Sequence, residues 1–175
     1  MSIETERVLL RPFEPQDAVG LFELDSNPEV HHYLGNNPLT DFEKAKDVVA
    51  MVIQQHKDNG IARWTAIEKS TGKYMGWSGI KLYQTECCGH INFYEIGYRF
   101  KPEYWNKGFA TETAKAALDY TFKVLKADVA YGMTHHENIA SMRVLEKIGF
   151  VKTDEYMEGD IPCFFFENRK TNLTH

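Results

Sequence analysis

The sequence predicts an α/β domain built on a mixed sheet. Short runs rich in aromatic and β-branched residues alternate along the chain with longer runs whose apolar residues recur every three to four positions. The 175 residues fit the length of one domain, and 43% hydrophobic residues suffice for a core. We therefore expect a single domain over residues 1–175, with about seven strands and about four helices.

The amino-terminal half is predicted to contain four of these strands before the central turn. Pro15 begins the first helix after the first strand. Thr40–Glu43 forms a capping box before the second helix, and Ser70–Lys73 forms a hairpin turn. The predicted order, with approximate bounds, is strand 6–12, helices 15–25 and 41–58, and strands 62–68, 74–84 and 91–100.

The carboxy-terminal half continues the alternation. Asn138 is a good N-cap for the last helix, and Gly149 is a good residue to follow its end. The predicted order is helix 108–125, strand 128–134, helix 138–148, and strands 150–158 and 162–168. The acidic segment 154–160 then joins the last two strands as a hairpin.

The segment Tyr104–Glu112 joins a strand to a helix through a glycine-bearing turn. A helix that begins near Lys107 or Gly108 leaves its first backbone donors unpaired and places a partial positive charge there. Gly108 lets a bulky ligand approach the backbone, and Lys107 adds a cation. This pattern predicts an anion site. The alternative is an ordinary tight turn, with Glu112 balancing the helix dipole.

Glu95 is a carboxylate inside a predicted central strand. The two-residue period places Glu95, Gly97 and Arg99 on one face of the strand. A buried acid needs a partner or a chemical role, so Glu95 is either a general base or the partner of Arg99 in an ion pair. Gly97 predicts an opening where a ligand chain lies against the strand.

Ser141 is predicted to face the protein interior. It shares one face of the last helix with Leu145 and Ile148, which must point inward. Either it lies in a cleft beside the central strand, or it only helps to satisfy the start of its helix.

Composition and motifs argue against several classes of function. The net charge of −5 and pI of about 5.8 disfavour nucleic-acid binding. Neither a G-x-G-x-x-G fingerprint nor a Walker motif is present. Three cysteines predict free thiols, with Cys87–His90 at a hairpin tip instead of a metal site. Apolar runs are too short for a membrane span and the start is unlike a signal peptide, so we expect a cytoplasmic protein.

Three segments together resemble the GNAT superfamily of acyl-CoA-dependent N-acyltransferases. They are Glu95–Tyr98, Pro102–Glu112 and Asn138–Phe150, which occur in the order typical of that family. The opening Thr5–Pro12 is similar to the branch that contains ribosomal-protein N-terminal acetyltransferases of the RimJ/RimL type. The resemblance implies a mostly antiparallel sheet, acetyl-CoA as cofactor, no metal, and a primary amine of a peptide or small molecule as acceptor.

The resemblance also implies a role for particular residues. Glu95 is the expected general base, and Ser141 is the expected acid for the leaving sulfur, although many family members use a tyrosine that has no counterpart here. The amine is expected to enter past His32 and Tyr33 and the acidic hairpin, which equally fit ordinary loop packing. The coenzyme A contacts implied for the pantetheine arm are the backbone of Tyr98, Arg99 and Phe100, together with Asn138. Those implied for the pyrophosphate are Asn106, Lys107, Gly108, Phe109, Ala110 and Thr111.

Two other functions remain open at this point. One is a catalytically inactive module that binds acyl-CoA, and the other is a nucleotide-dependent enzyme. Retention of both Glu95 and Ser141 argues against the inactive module. Whether the chain forms a homodimer is left open.

Overall fold

A computed structural model describes residues 1–171. Its four helices are α1 (Asp17–Asp25), α2 (Phe42–Asn59), α3 (Phe109–Lys123) and α4 (Ile139–Lys147). Its strands are β1 (Ile3–Glu4), β2 (Val8–Pro12), β3 (Arg63–Glu68), β4 (Tyr74–Tyr83), β5 (Phe93–Phe100), β6 (Val129–His135), β7 (Val151–Glu158) and β8 (Ile161–Arg169). A single 3-10 turn, Pro102–Tyr104, separates β5 from the loop before α3.

The strands form one sheet in the order β1-β2-β3-β4-β5-β6-β8-β7. Every neighbouring pair is antiparallel except β5 and β6, which run parallel. The predicted α/β fold with four helices is confirmed. The sheet has eight strands instead of seven, because the two-residue β1 pairs with Leu9 and Leu10. So short a strand has no measurable apolar period.

The two faces of the sheet carry separate helix layers. Helix α3 packs its apolar stripe on β4 and β5, in one core with the strand residues Ile80, Ile96 and Phe100. Helices α1 and α2 pack on the other face, where Trp77 of β4 joins their core. The two-residue period of β5 holds in the structure: Ile96 joins the α3 core, and Glu95 and Arg99 contact partners outside that core. The Cys87–His90 segment closes the β4–β5 turn, as predicted.

Strands β5 and β6 separate soon after they meet. In the described part of the chain, their register contains one pair, Glu95 with Tyr131. Beyond Glu95, β5 keeps β4 as its neighbour on one side, while its other edge loses β6. Backbone donors and acceptors on that edge are therefore available to a ligand.

Candidate active site

A cavity of about 210 Å³ opens where β5 and β6 separate. Both predicted catalytic residues, Glu95 and Ser141, line it, although they lie on different elements. Tyr33 also lines the cavity, whereas His32 is exposed and lies outside the lining. The other predicted site residues in the lining are Tyr98, Arg99 and Asn138.

The side chain of Glu95 is paired with an arginine from another strand. Only 6% of Glu95 is exposed, and its carboxylate accepts a hydrogen bond from Arg63 Nη2. Arg63 Nη1 also donates to the backbone oxygens of Glu95 at 2.9 Å and Gly79 at 2.6 Å. The alternative prediction, an ion pair between Glu95 and Arg99, is therefore wrong. Glu95 pairs instead with Arg63, the first residue of β3.

Gly97 makes room for that arginine. A Cβ atom built on Gly97 would lie 2.6 Å from Arg63 Nη2, which is too close for any side chain. The opening predicted beside Gly97 is thus filled by a guanidinium group, not left empty for a ligand chain. Sequence reasoning missed Arg63. The available signal was a charged residue inside a run that otherwise matches a buried strand.

Arg99 is held from the opposite layer. Its Nη1 donates to Asp25 Oδ1 at 2.8 Å, and the side chain of Asp25, on α1, is only 8% exposed. The Trp77 ring contacts both guanidinium groups, with its centroid 5.2 Å from Arg63 Cζ and 5.1 Å from Arg99 Cζ. The side chain of Arg99 thus faces the α1 side of the site, whereas the cofactor contact predicted for this residue involves its backbone.

Ser141 and Tyr98 meet across the cavity. The two hydroxyl groups are 3.1 Å apart, and the Tyr98 hydroxyl donates to the Ser141 backbone oxygen at 3.0 Å. Burial raises the pKa of Tyr98, and the hydrogen bond with Ser141 partly offsets that increase. The phenol therefore stays protonated at neutral pH and is a donor beside Ser141.

Asn138 caps α4 as predicted. Its side-chain oxygen accepts from the Ser141 backbone N–H at 3.1 Å. Because the oxygen is used in this cap, the amide nitrogen of Asn138 is the group left to contact a ligand in the cavity. The backbone of Ser141 does help to satisfy the helix start, while its hydroxyl points elsewhere, to Tyr98.

The predicted anion site is a left-handed turn followed by an uncapped helix. Asn106 and Gly108 have φ values of 57° and 82°, and in the described part of the chain the N-cap Gly108 provides no side-chain hydrogen bond to the start of α3. Ala110 and Thr111 form its first turn, whereas the Phe100 and Phe109 side chains are buried in the core. This turn lies outside the lining of the cavity.

Two cations lie beside this turn, and one was missed from the sequence. Lys107 Nζ folds back to donate to the Glu103 backbone oxygen at 2.7 Å. Arg7 Nη1 donates to the Lys107 backbone oxygen at 2.9 Å, and its guanidinium lies 4.1 Å from the centre of the Phe109 ring. The turn therefore has two cationic side chains close to its backbone N–H groups, and the charge of one of them, Arg7, is paired with Glu112.

Glu112 anchors Arg7. Its carboxylate accepts from Thr5 Oγ1 at 2.6 Å and from Arg7 Nε at 2.7 Å. Burial acts to raise the pKa of Glu112, but the hydrogen bonds from Thr5 and Arg7 outweigh it and the net shift is downward. Glu112 thus ties the β1–β2 segment to the first turn of α3, in addition to its favourable position near the helix dipole.

The described residues contain no group of three or more His, Cys, Asp or Glu side chains arranged to hold a metal ion. In residues 1–171, none of the helices combines the length and apolar character needed to cross a bilayer.

Comparison with known proteins places this geometry in a family. The model of the Acetyltransferase (GNAT) domain matches residues 7–151. The chain belongs to the GNAT acetyltransferase family. It is therefore an N-acetyltransferase by family, and GNAT acetyltransferases use acetyl-CoA.

Two relatives match nearly the whole chain. The uncharacterized N-acetyltransferase YnaD of Bacillus subtilis (strain 168) is 34% identical over 162 residues, covering 93% of this chain and 89% of its own. Spermidine N(1)-acetyltransferase of Escherichia coli (strain K12) is 28% identical over 162 residues, covering 92% of this chain and 79% of its own.

Solved structures agree on the fold. A GNAT-family acetyltransferase from Bacillus anthracis superposes with a TM-score of 0.79 at 27% identity, covering 97% of this chain and 98% of its own. Ribosomal-protein-S5-alanine acetyltransferase from Vibrio fischeri superposes with a TM-score of 0.78 at 19% identity, covering 98% of both chains. At that identity the second likeness shows the fold alone.

Proposed function

We propose that this chain is a single-domain acetyltransferase that moves the acetyl group of acetyl-CoA directly to a primary amine. The observation that carries the proposal is the meeting of Glu95 and Ser141 in one cavity, at the point where β5 and β6 separate. In this reaction the amine nitrogen attacks the thioester carbonyl carbon, the carbon–sulfur bond breaks, and the departing thiolate takes up a proton.

The cofactor is proposed to lie in the gap between β5 and β6. The pantetheine arm bonds like an added strand to the backbone of Tyr98–Phe100, on the edge of β5 that β6 leaves free. The Asn138 amide donates to the same arm. The diphosphate binds the N–H groups of the Asn106–Thr111 turn, where the helix dipole favours negative charge and Arg7, held by Glu112, lies beside the turn.

Two groups serve the proton transfers. Glu95 takes the proton from the ammonium form of the acceptor, directly or through water, and Arg63 fixes the orientation of its carboxylate. Ser141 donates to the leaving sulfur, and the Tyr98 phenol, with its oxygen 3.1 Å from Ser141 Oγ, can replace that proton when its O–H turns from the Ser141 backbone oxygen to Oγ. A backbone N–H within residues 96–98 polarises the carbonyl.

The acceptor amine is proposed to approach along Tyr33, with the exposed His32 at the outer rim. The resemblance of Thr5–Pro12 to the branch of ribosomal-protein N-terminal acetyltransferases favours a protein N-terminus as acceptor. The Escherichia coli relative that is 28% identical is named for acetylation of spermidine, which favours a small amine. A protein N-terminus and a small amine are therefore both candidate acceptors. Nothing in this chemistry requires a second copy of the chain.

Thiol release from acetyl-CoA across a panel of amines tests the proposal. We expect turnover with at least one primary amine, and a Glu95→Gln variant with kcat lowered by about 100-fold or more, because a positioned base contributes that factor. Glu146→Gln, an exposed carboxylate on α4, is the control. Tight binding of acetyl-CoA without turnover, unchanged by Glu95→Gln, contradicts the proposal and indicates an inactive acyl-CoA-binding module.

A further inference from the structure

We infer that the acceptor is a free amino acid, and that the guanidinium of Arg99 binds its carboxylate. The inference rests on the proposed acetyl transfer and names the class of its acceptor. It begins from a cation that faces the cavity and is only partly used by the protein.

Arg99 has donors to spare. Its side chain is 24% exposed and lines the cavity, on the same face of β5 as Glu95. A guanidinium has five N–H donors, and the hydrogen bond from Nη1 to Asp25 uses one of them. In residues 1–171, no other hydrogen bond of the protein engages this side chain. The remaining donors are therefore available to a ligand in the cavity.

The position of Arg99 is fixed before any ligand arrives. Asp25 is buried on α1 and holds Nη1, and the Trp77 ring packs against the guanidinium at 5.1 Å. A planar guanidinium held in one position can donate two parallel hydrogen bonds to a carboxylate. Because the fold already orders the Arg99 side chain, little further conformational entropy is lost when a ligand binds. Arg63, the second arginine in the cavity, competes less, because three of its five donors are used by Glu95 and Gly79 and its charge is paired with the Glu95 carboxylate.

The same charges disfavour a polyamine. A second ammonium group needs a carboxylate of its own, and Glu95 is the one carboxylate in the cavity lining of the described chain. Arg63 already pairs with it. The far end of a polyamine would therefore approach Arg99, whose partner Asp25 is already engaged, and would find no further carboxylate in the lining formed by the described residues. The cavity of about 210 Å³ also suits a small acceptor better than a peptide.

The strand sets the span between the two functional groups. Glu95 and Arg99 are four residues apart on β5, which places their Cα atoms roughly 13 Å apart on the same face. Both side chains line the same cavity, and the Arg63 guanidinium lies beside Gly97, between their positions on the strand. An acceptor that meets both groups therefore lies over Arg63. An amino acid then places its amine at Glu95 and its carboxylate at Arg99.

Matched pairs of acceptors test this inference in the wild-type protein with acetyl-CoA. Each amino acid is paired with the amine that lacks its carboxylate, in a series of α- and ω-amino acids of increasing length, with spermidine and an amino-acid amide as further acceptors. We expect kcat/KM for the best amino acid to exceed that of its paired amine by about 10- to 100-fold, the value of a charge-assisted hydrogen-bonded pair.

Variants of Arg99 assign the preference to this residue. Arg99→Lys keeps the charge and a partner for Asp25 but loses the fork, and Arg99→Gln with Asp25→Asn removes the pair without leaving a buried charge alone. In both we expect the ratio of kcat/KM for the amino acid to kcat/KM for its paired amine to fall about tenfold or more, because an effect of the substitution on cofactor binding is common to both acceptors and cancels in the ratio. Arg169→Lys, on the exposed end of β8, is the control.

The possible outcomes separate the two proposals. Equal turnover of amino acid and paired amine, or a preference for spermidine or the amide, overturns the carboxylate site and leaves acetyl transfer standing. An amino-acid preference that survives in both Arg99 variants also overturns it. Absence of thiol release with every acceptor contradicts the proposed function, and this inference with it.

Discussion

Close contacts of single residues with their neighbours set the positions of the charged side chains in the cavity. Gly97 is the clearest case, because the space beside it belongs to the Arg63 guanidinium. Glu95 is oriented by Arg63, and Arg99 is oriented by Asp25 and Trp77. The two arginines therefore have different roles. One orients the proposed base, and the other is the residue for which we propose acceptor binding.

Substituting Gly97 by alanine is predicted to impair activity more than stability. The new Cβ, 2.6 Å from Arg63 Nη2, displaces a side-chain end from Glu95 while the backbone stays in place. We expect the free energy of unfolding to fall by about 1–3 kcal/mol, as in overpacked cores, and kcat/KM to fall by about 100-fold. Urea unfolding and thiol release measure the two effects.

The matching control is a double-mutant cycle with Arg63→Lys. If the contact between the new Cβ and Arg63 explains the loss of kcat/KM, Arg63→Lys by itself lowers kcat/KM, but it lowers kcat/KM little further in the Gly97→Ala background. Strictly additive losses contradict the assignment of Gly97 as the space for Arg63.

Protonation of His31 is predicted to destabilise the fold at mildly acidic pH. The residue is 8% exposed, neither ring nitrogen has a hydrogen-bond partner among residues 1–171, and Nε2 lies 3.8 Å from Asp25 Oδ1. Burial lowers the pKa of His31, the charge of Arg99 lowers it further, and Asp25 acts in the opposite direction. The unfolded chain therefore takes up a proton at a higher pH, near 6.5, than the folded chain does.

The sign follows from that difference in protonation. The stability contribution of neutral His31 is complete above about pH 6.5 and declines as the pH falls below it, because the unfolded state then binds more protons. Urea unfolding of the wild type and His31→Gln between pH 7.5 and 5.5 measures this, and the variant should show the shallower dependence. His32→Gln, at an exposed neighbour, should match the wild type. Equal slopes for all three contradict the prediction.

At the scale of secondary structure, the start of α3 differs from the starts of α2 and α4. Asp41 caps α2 and Asn138 caps α4 with side-chain oxygens, whereas Gly108 supplies none. A carboxylate, Glu112, binds Arg7 beside the turn and leaves the first N–H groups free of a side-chain cap. This arrangement suits an external anion.

Gly108→Ala is predicted to weaken coenzyme A binding specifically. Alanine at φ 82° is strained by about 1–2 kcal/mol, and its Cβ lies 3.4 Å from Arg7 Nη2, where the proposed diphosphate meets the backbone. Gly60→Ala is the control, since φ there is 71° and nothing lies within 4 Å. We expect similar losses of stability in both variants, but a Kd for coenzyme A raised about tenfold or more only in Gly108→Ala, as measured by calorimetry. Equal affinities in the two variants would exclude the turn as the diphosphate site.

At the scale of the whole molecule, cofactor binding is predicted to stabilise the fold. Coenzyme A at 100 times its Kd adds about 2.7 kcal/mol, which raises Tm by about 5–10 °C for a chain of this length. ATP and NAD should give no such shift. Protection by NAD or ATP without protection by coenzyme A would indicate a nucleotide-dependent enzyme instead.

The sequence predicted the parts of the site that local periodicity determines. The two-residue period of β5 and the helical period of α4 placed Glu95 and Ser141 correctly, and Asn138 was recognised as a cap. It did not predict the partners that the fold brings from far along the chain. Arg63 is 32 residues from Glu95, Asp25 is 74 from Arg99, and Arg7 is 105 from Glu112. Such pairs depend on strand order and helix placement, which single-sequence patterns do not fix.

A crystal structure with bound coenzyme A tests the central claim most directly. The predicted result is a pantetheine arm between β5 and β6, a diphosphate on the N–H groups of Asn106–Thr111, and a sulfur atom in the cavity with Glu95 and Ser141. Coenzyme A bound elsewhere, or a diphosphate held by side chains away from the start of α3, would contradict it.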